Sequence, residues 1–201
     1  MSLNLPPLPP VGGETTGRNV VDVIAEQHRE LLALCARLTD PDAHLRRKVA
    51  EVVIATLSRH LSAEEQYLYP AVRQVVPDGD RLADRELAED HELLVILKRL
   101  DGIKPDDEAF DRLAGDVAAA VHRHVEADAG ELLPVLRLKA PVEDLIRVGN
   151  RVELAAEAAP TRPHPATPST PPWNKVVDPA VAVVDKVRDV VSGRTTYPRD
   201  L

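Results

Sequence analysis

Two stretches of the chain place a histidine four residues ahead of a carboxylate: His60-x-x-x-Glu64 and His124-x-x-x-Asp128. On a helix, residues four apart stand about 40° apart around the axis and about 6 Å along it, so each pair can approach one ion from one helix. The two stretches belong to a repeat. HLSAEEQYLYPAVR (60–73) and HVEADAGELLPVLR (124–137) agree at five of fourteen positions, and AEQH (25–28) parallels AEDH (88–91). His28 precedes His60 by 32 residues and His91 precedes His124 by 33. Each copy therefore supplies one histidine on a first helix and a His–acid pair on a second.

Brought together, His28, His60, His91 and His124 with Glu64 and Asp128 form a ligand set suited to a pair of transition ions. Iron is the first choice, and manganese and zinc are compatible with the same donors. If Glu64, Asp128 and a small oxo or hydroxo species bridge two irons, and each iron takes two histidines, each has five ligands. Tyr67 and Glu131 lie seven residues beyond His60 and His124, back on the same face. They are expected as additional ligands or as neighbours that tune the site. A competing register, His122-x-x-x-Glu126, also exists. His124 is preferred because it stands ten residues before Pro134, as His60 stands ten before Pro70, and shares a face with Val121, Leu132 and Val135. A single buried histidine is ordinarily a core residue. Four without partners would leave too many ring nitrogens unsatisfied.

The elements that must position these residues are helices. From Asn19, a suitable N-cap, Val20, Val23, Ile24, Leu31, Leu34 and Leu38 recur at helical spacing up to the break at Pro41-Asp42. Further helices are expected over about 42–76, 81–100, 106–139 and 142–158, separated by turn residues such as Pro77-Asp78-Gly79-Asp80. Pro70 and Pro134 would kink or end their helices. The expectation is an all-α, antiparallel four-helix bundle (19–140) after a flexible N-terminal arm (1–18), with one short extra helix (141–159). A proline-rich linker (160–178) then leads to an amphipathic C-terminal helix and tail (179–201), capped by Asp178 and stopped by Gly193. The stripe Val183, Val184, Val187, Val190 and Val191 is expected to pack on the bundle, with Trp173 as an anchor, or else to dock a second subunit or another protein.

The pattern His28 … His60-x-x-x-Glu64 … His91 … His124-x-x-x-Asp128 resembles the hemerythrin-like HHE cation-binding family over about residues 19–140. The resemblance implies a four-helix bundle holding a non-haem di-iron centre, with those six residues as ligands. Asp128 replaces the family's usual glutamate. Oxygen-carrying hemerythrins have a further histidine four residues along the third helix. Val95 stands there in this chain, which argues against reversible oxygen carriage.

Composition excludes other classes. Lys and Arg number 25 against 33 Asp and Glu, a net charge of −8, which disfavours nucleic-acid or anionic-membrane binding. The lone Cys35 precludes an intramolecular disulfide and reads as a core residue. No apolar run spans a bilayer and no secretory leader is evident, so a cytoplasmic setting is expected. The functional expectation is an iron protein that binds or reduces a small oxidant (O2, H2O2 or NO) in oxidative stress or iron homeostasis. If it is an enzyme, it decomposes peroxide. The alternative is a metal-responsive sensor or scaffold that signals through its C-terminal helix.

Overall fold

The computed structural model describes residues 3–4, 16–166 and 174–201, the last segment as backbone alone up to residue 180. The described residues are helical, without strands. Helices α1 (Val20–Cys35), α2 (Ala43–Ala63), α4 (Gly79–Asp101) and α5 (Phe110–Ala127) form a ring in which each packs on the next and α5 closes on α1. Two of them continue beyond a widened turn. Residues Glu64–Leu68 carry α2 into α3 (Tyr69–Val75), and Asp128–Leu132 carry α5 into α6 (Leu133–Lys139). Helix α7 (Val142–Ala158) packs across α1 and α2, and α8 (Asn174–Ser192) packs on α7.

Local chemistry sets most boundaries. Asn19 Oδ1 accepts the Asp22 amide at 3.1 Å, and Asp42 Oδ1 accepts those of His44 and Leu45 at 2.8 and 3.3 Å. These caps satisfy amides that the first helical turn leaves without partners. Three starts differ from the sequence reading. Helix α4 begins at Gly79, because Asp78 adopts the left-handed conformation (φ 55°) that turns the chain directly into it. Helix α5 begins at Phe110 rather than near Asp106, since turns occupy residues 105–109. Helix α8 begins at Asn174, ahead of Asp178.

Apolar residues form two clusters at opposite ends of the ring. One joins Val20–Ile24 of α1 to Tyr67–Val72, Leu82, Leu132–Leu136 and α7. The other joins Leu31–Leu38 to residues 49–61, Leu93–Leu100 and Phe110–Val121. On every ring helix the break between clusters falls at the same level, and there the inward side chains are polar. Gly149 lets α7 approach α1 closely. A Cβ at this position would strike the Arg18 carbonyl oxygen and come within 3.0 Å of the Val20 nitrogen.

The chain ends are tied down in ways that periodicity alone does not reveal. Leu3 is buried and its amide donates to Asp144 Oδ2 at 2.8 Å, so this part of the N-terminal arm is docked. The valine stripe of α8 does not pack on the bundle. Val183, Val184, Val187, Val190 and Val191 are 56–83% exposed, whereas Ala182, Asp185 and Asp189 are buried. The reason is electrostatic. Asp189 receives Arg162 Nη2 at 2.8 Å, and Asp185 stands 2.9 Å from His164 Nε2. Ion pairs thus hold the polar face inward and the valines turn out. The Trp173 anchor and the 167–173 part of the linker lie outside the described residues.

The Gly149 contact yields a test. Gly149→Ala should destabilise the fold by about 2 kcal/mol, the usual cost of forcing extra volume against backbone. It should be read as a lower denaturant midpoint, with Gly115→Ala, where a Cβ meets nothing within 4 Å in an exposed helical position, as the contrasting control that gains up to about 1 kcal/mol.

Candidate metal centre

At the level between the two apolar clusters, α1 contributes His28, α2 contributes His60 and the following turn Glu64, and α5 contributes His124 and its following turn Asp128. All five are buried. Potential ligand atoms of His28, His60, Glu64 and His124 lie within 4.8 Å of one another. His60 Nε2 is 3.2 Å from His124 Nε2 and 3.3 Å from Glu64 Oε1, and His124 Nε2 is 3.3 Å from Glu64 Oε2. His28 Nε2 stands 3.6 Å from Asp128 Oδ2 and 3.9 Å from Glu64 Oε1. The three rings meet edge to face, with centroids 5.0–5.4 Å apart. His60 Nδ1 lies 2.8 Å from Gln27 Oε1. A carbonyl oxygen only accepts, so Nδ1 carries the hydrogen and the bare Nε2 faces the cluster. His122 and Glu126, the competing register, stand away from the cluster, with His122 exposed.

His91 is not brought into the cluster. It is exposed, and Asp90 is buried in its stead. The inward stripe of α4 runs through Leu93, Leu97 and Leu100. Projected back by three and seven residues, it reaches Asp90 and Glu86. The stripe that would place His91 inside, through Leu87, Leu94 and Val95, is partly or largely exposed. Asp90 Oδ1 stands 3.3 Å from His124 Nδ1, and Asp90 Oδ2 accepts the Tyr69 hydroxyl at 2.6 Å. Glu86, also fully buried, pairs with Arg85 at 2.6 Å.

The two residues expected at i+7 also fall elsewhere, because the turns after the ligand pairs are π turns. The Tyr69 amide bonds to the Glu64 carbonyl and the Leu133 amide to that of Asp128, each an i+5 bond. The prolines at 70 and 134 lack the N–H needed for an ordinary i−4 bond at that point, and one extra residue is accommodated in each turn. Tyr69 consequently takes the cluster-facing place. Tyr67 is buried in the neighbouring apolar cluster, where the charge it meets is Arg151. Glu131 is exposed and receives Arg85 Nη1 at 3.0 Å.

Burial dominates the electrostatics. It depresses His28 to about 3, with the charge of His124 adding to the effect, and it drives His60 well below its ordinary value. Burial would depress His124 as well, but Glu64, Asp90 and Asp128 outweigh it and hold that imidazole well above the usual range. Burial, reinforced by Glu64, pushes Asp128 well up, and Glu64 is also raised by burial. Tyr69 is raised by burial and by the carboxylates it faces. Among these groups, His28 Nε2, Glu64 Oε1, both Asp128 oxygens, Asp90 Oδ1 and His124 Nδ1 are buried without a hydrogen-bond partner. So many unpartnered buried polar atoms at one level are far outside the norm for protein interiors. A cation bound by imidazole nitrogen and carboxylate oxygen would satisfy the donors facing it, so the residues present fit a first-row transition metal.

Two outcomes follow. Asp90→Ala should weaken metal binding at least about tenfold, in line with the loss of groups that orient ligands. His91→Ala and His122→Ala should leave it within about twofold, as measured by competition against a chelator. Metal uptake should also release protons. The metal-free fold raises the proton affinity of His124 and Asp128, and a cation competes with protons for their ligand atoms. Affinity should therefore rise with pH, and calorimetry in buffers of different ionisation enthalpy would show the released protons.

Comparison with known proteins agrees with this geometry. The pattern of the Hemerythrin HHE cation binding domain matches residues 19–136. An uncharacterized hemerythrin-like protein of Schizosaccharomyces pombe is 22% identical over 174 residues, covering 86% of each chain. No solved structure matches significantly. A match over the whole ring of helices, enclosing a buried layer of imidazoles and carboxylates, shows that this chain belongs to the hemerythrin HHE cation-binding domain family.

Proposed function

We propose that this chain is a non-haem di-iron protein that binds or reduces a small oxidant such as O2, H2O2 or NO. The observation that carries the reading is the cluster of His28, His60, His124, Glu64 and Asp128, buried at one level with unpartnered ligand atoms. Iron bound there would supply the redox equivalents. The chain's residues do the rest. Gln27 fixes the His60 tautomer, Asp90 orients His124, and the apolar clusters above and below exclude water. With His91 outside the cluster, the ligand count favours three imidazoles with a carboxylate-rich remainder, in which Asp90 stands in the place that the repeat assigns to a fourth histidine. Manganese and zinc suit the same donors. The buried Cys35, whose thiol is pushed up to about 12 by burial, suits a chain working in the cytoplasm without disulfide chemistry.

A second reading has its own support. The exposed valines of α8 form an apolar face that a partner protein or second copy would cover. In that reading the metal sets the state of the bundle and α8 reports it, without turnover.

Elemental analysis of protein purified without added metal should find about two irons per chain. The iron-loaded protein should evolve oxygen from peroxide or give a visible spectrum that changes with O2 or NO. Absence of bound metal would overturn the reading. Bound metal with no response to any of the three oxidants would favour the sensor.

A further inference from the structure

A cleft of about 370 Å³ opens between α4 and α5. Asp90 and His124 line it, and Asp90 Oδ1 and His124 Nδ1 are buried without hydrogen-bond partners. Glu89 and Glu92 also line it, with Arg123 as its guanidinium. With His124 counted neutral, three carboxylates against one guanidinium give the lining a formal charge of −2.

The opposite approach differs in both size and charge. A smaller pocket of about 130 Å³ reaches His60 from the α1–α2 side. Glu30 and Glu157 line it with Arg59, a formal charge of −1, and the chain's C-terminal tail closes over it. The Arg59 guanidinium lies 4.2 Å from the Tyr197 ring centroid, and its Nη1 donates to the Thr196 carbonyl at 2.7 Å. A cation drawn toward the cluster thus meets a smaller, less negative pocket closed by a strap on one side. On the other it meets carboxylates that end at a histidine nitrogen.

The geometry points to the α4–α5 cleft as the route by which a divalent metal cation is loaded: Glu89 and Glu92 capture it, and Asp90 and His124 receive it at the inner end. This rests on the metal-centre reading above. A negative cleft with low-dielectric walls concentrates cations and accelerates their capture, and the acceleration fades with salt. The same field leaves neutral O2 and H2O2 unaffected, so the carboxylates serve loading of the metal and not delivery of the oxidant.

The test is the rate at which the full-length, metal-free chain takes up ferrous ion anaerobically, sampled by chelator quench. Glu89→Gln combined with Glu92→Gln should slow uptake about tenfold at low ionic strength, within the range of electrostatic steering. The final metal content should be unchanged. Added salt should slow the wild type much more than the double variant. Glu157→Gln, at the His60 pocket, should load at the wild-type rate. A double variant that loads as fast as wild type, or a Glu157→Gln chain slowed as much as it, overturns the route while leaving the metal centre intact. A wild-type chain that takes up no ferrous ion overturns the metal centre, and the route with it.

Discussion

Ionisable groups buried between two apolar clusters impose the constraint around which this bundle is arranged. Moving a carboxylate or imidazole out of water is costly unless it finds a partner or gives up its charge. The chain uses both responses. Arg85 neutralises Glu86, Tyr69 donates to Asp90, Gln27 holds His60, and two of the imidazoles stay uncharged. What remains is a set of acceptors that the protein does not itself satisfy. The surrounding leucines and valines make that shortage sharper, because a dry layer strengthens every electrostatic interaction within it.

The scaffold is largely legible in the sequence because it is written in periodicity. The ring of helices, the Asn19 and Asp42 starts and the turn at Pro77 all follow from local chemistry, and the repeat reveals which helices share a role. Of the site, the two His–acid pairs and His28 are legible for the same reason: chance seldom sets such a pair at i+4 twice, at matching places in a repeat. The preference for His124 over His122 rests on distance to a proline, and the fold places His124 inside and His122 on the surface.

Where sequence and structure part, the origins are physical. AEDH parallels AEQH letter by letter, which points to His91. The phase of α4, however, is set by Leu93, Leu97 and Leu100, and that phase buries Asp90. The leucines carry the signal, and chemical type alone points the wrong way. Tyr67 and Glu131 miss the cluster because extrapolation at 3.6 residues per turn fails across a π turn. The outward valines of α8 are not legible at all, since an amphipathic pattern does not reveal which face is held by distant ion pairs such as Arg162 to Asp189.

The π turns tie the chemistry to the length of the chain. Tyr69, five residues beyond Glu64, stands at the angle that a fourth residue would take on a regular helix. Were residues 64–68 regular α-helix at their present length, every side chain beyond them would swing by about 100° around the axis. Tyr69 would leave Asp90, the apolar face of α3 would turn away from its cluster, and the ligands upstream would stay in place. The widened turn and the number of residues in it are therefore coupled, and the same holds for residues 128–132 in the second copy. The two halves of the repeat can diverge in letters while sharing this one coupling.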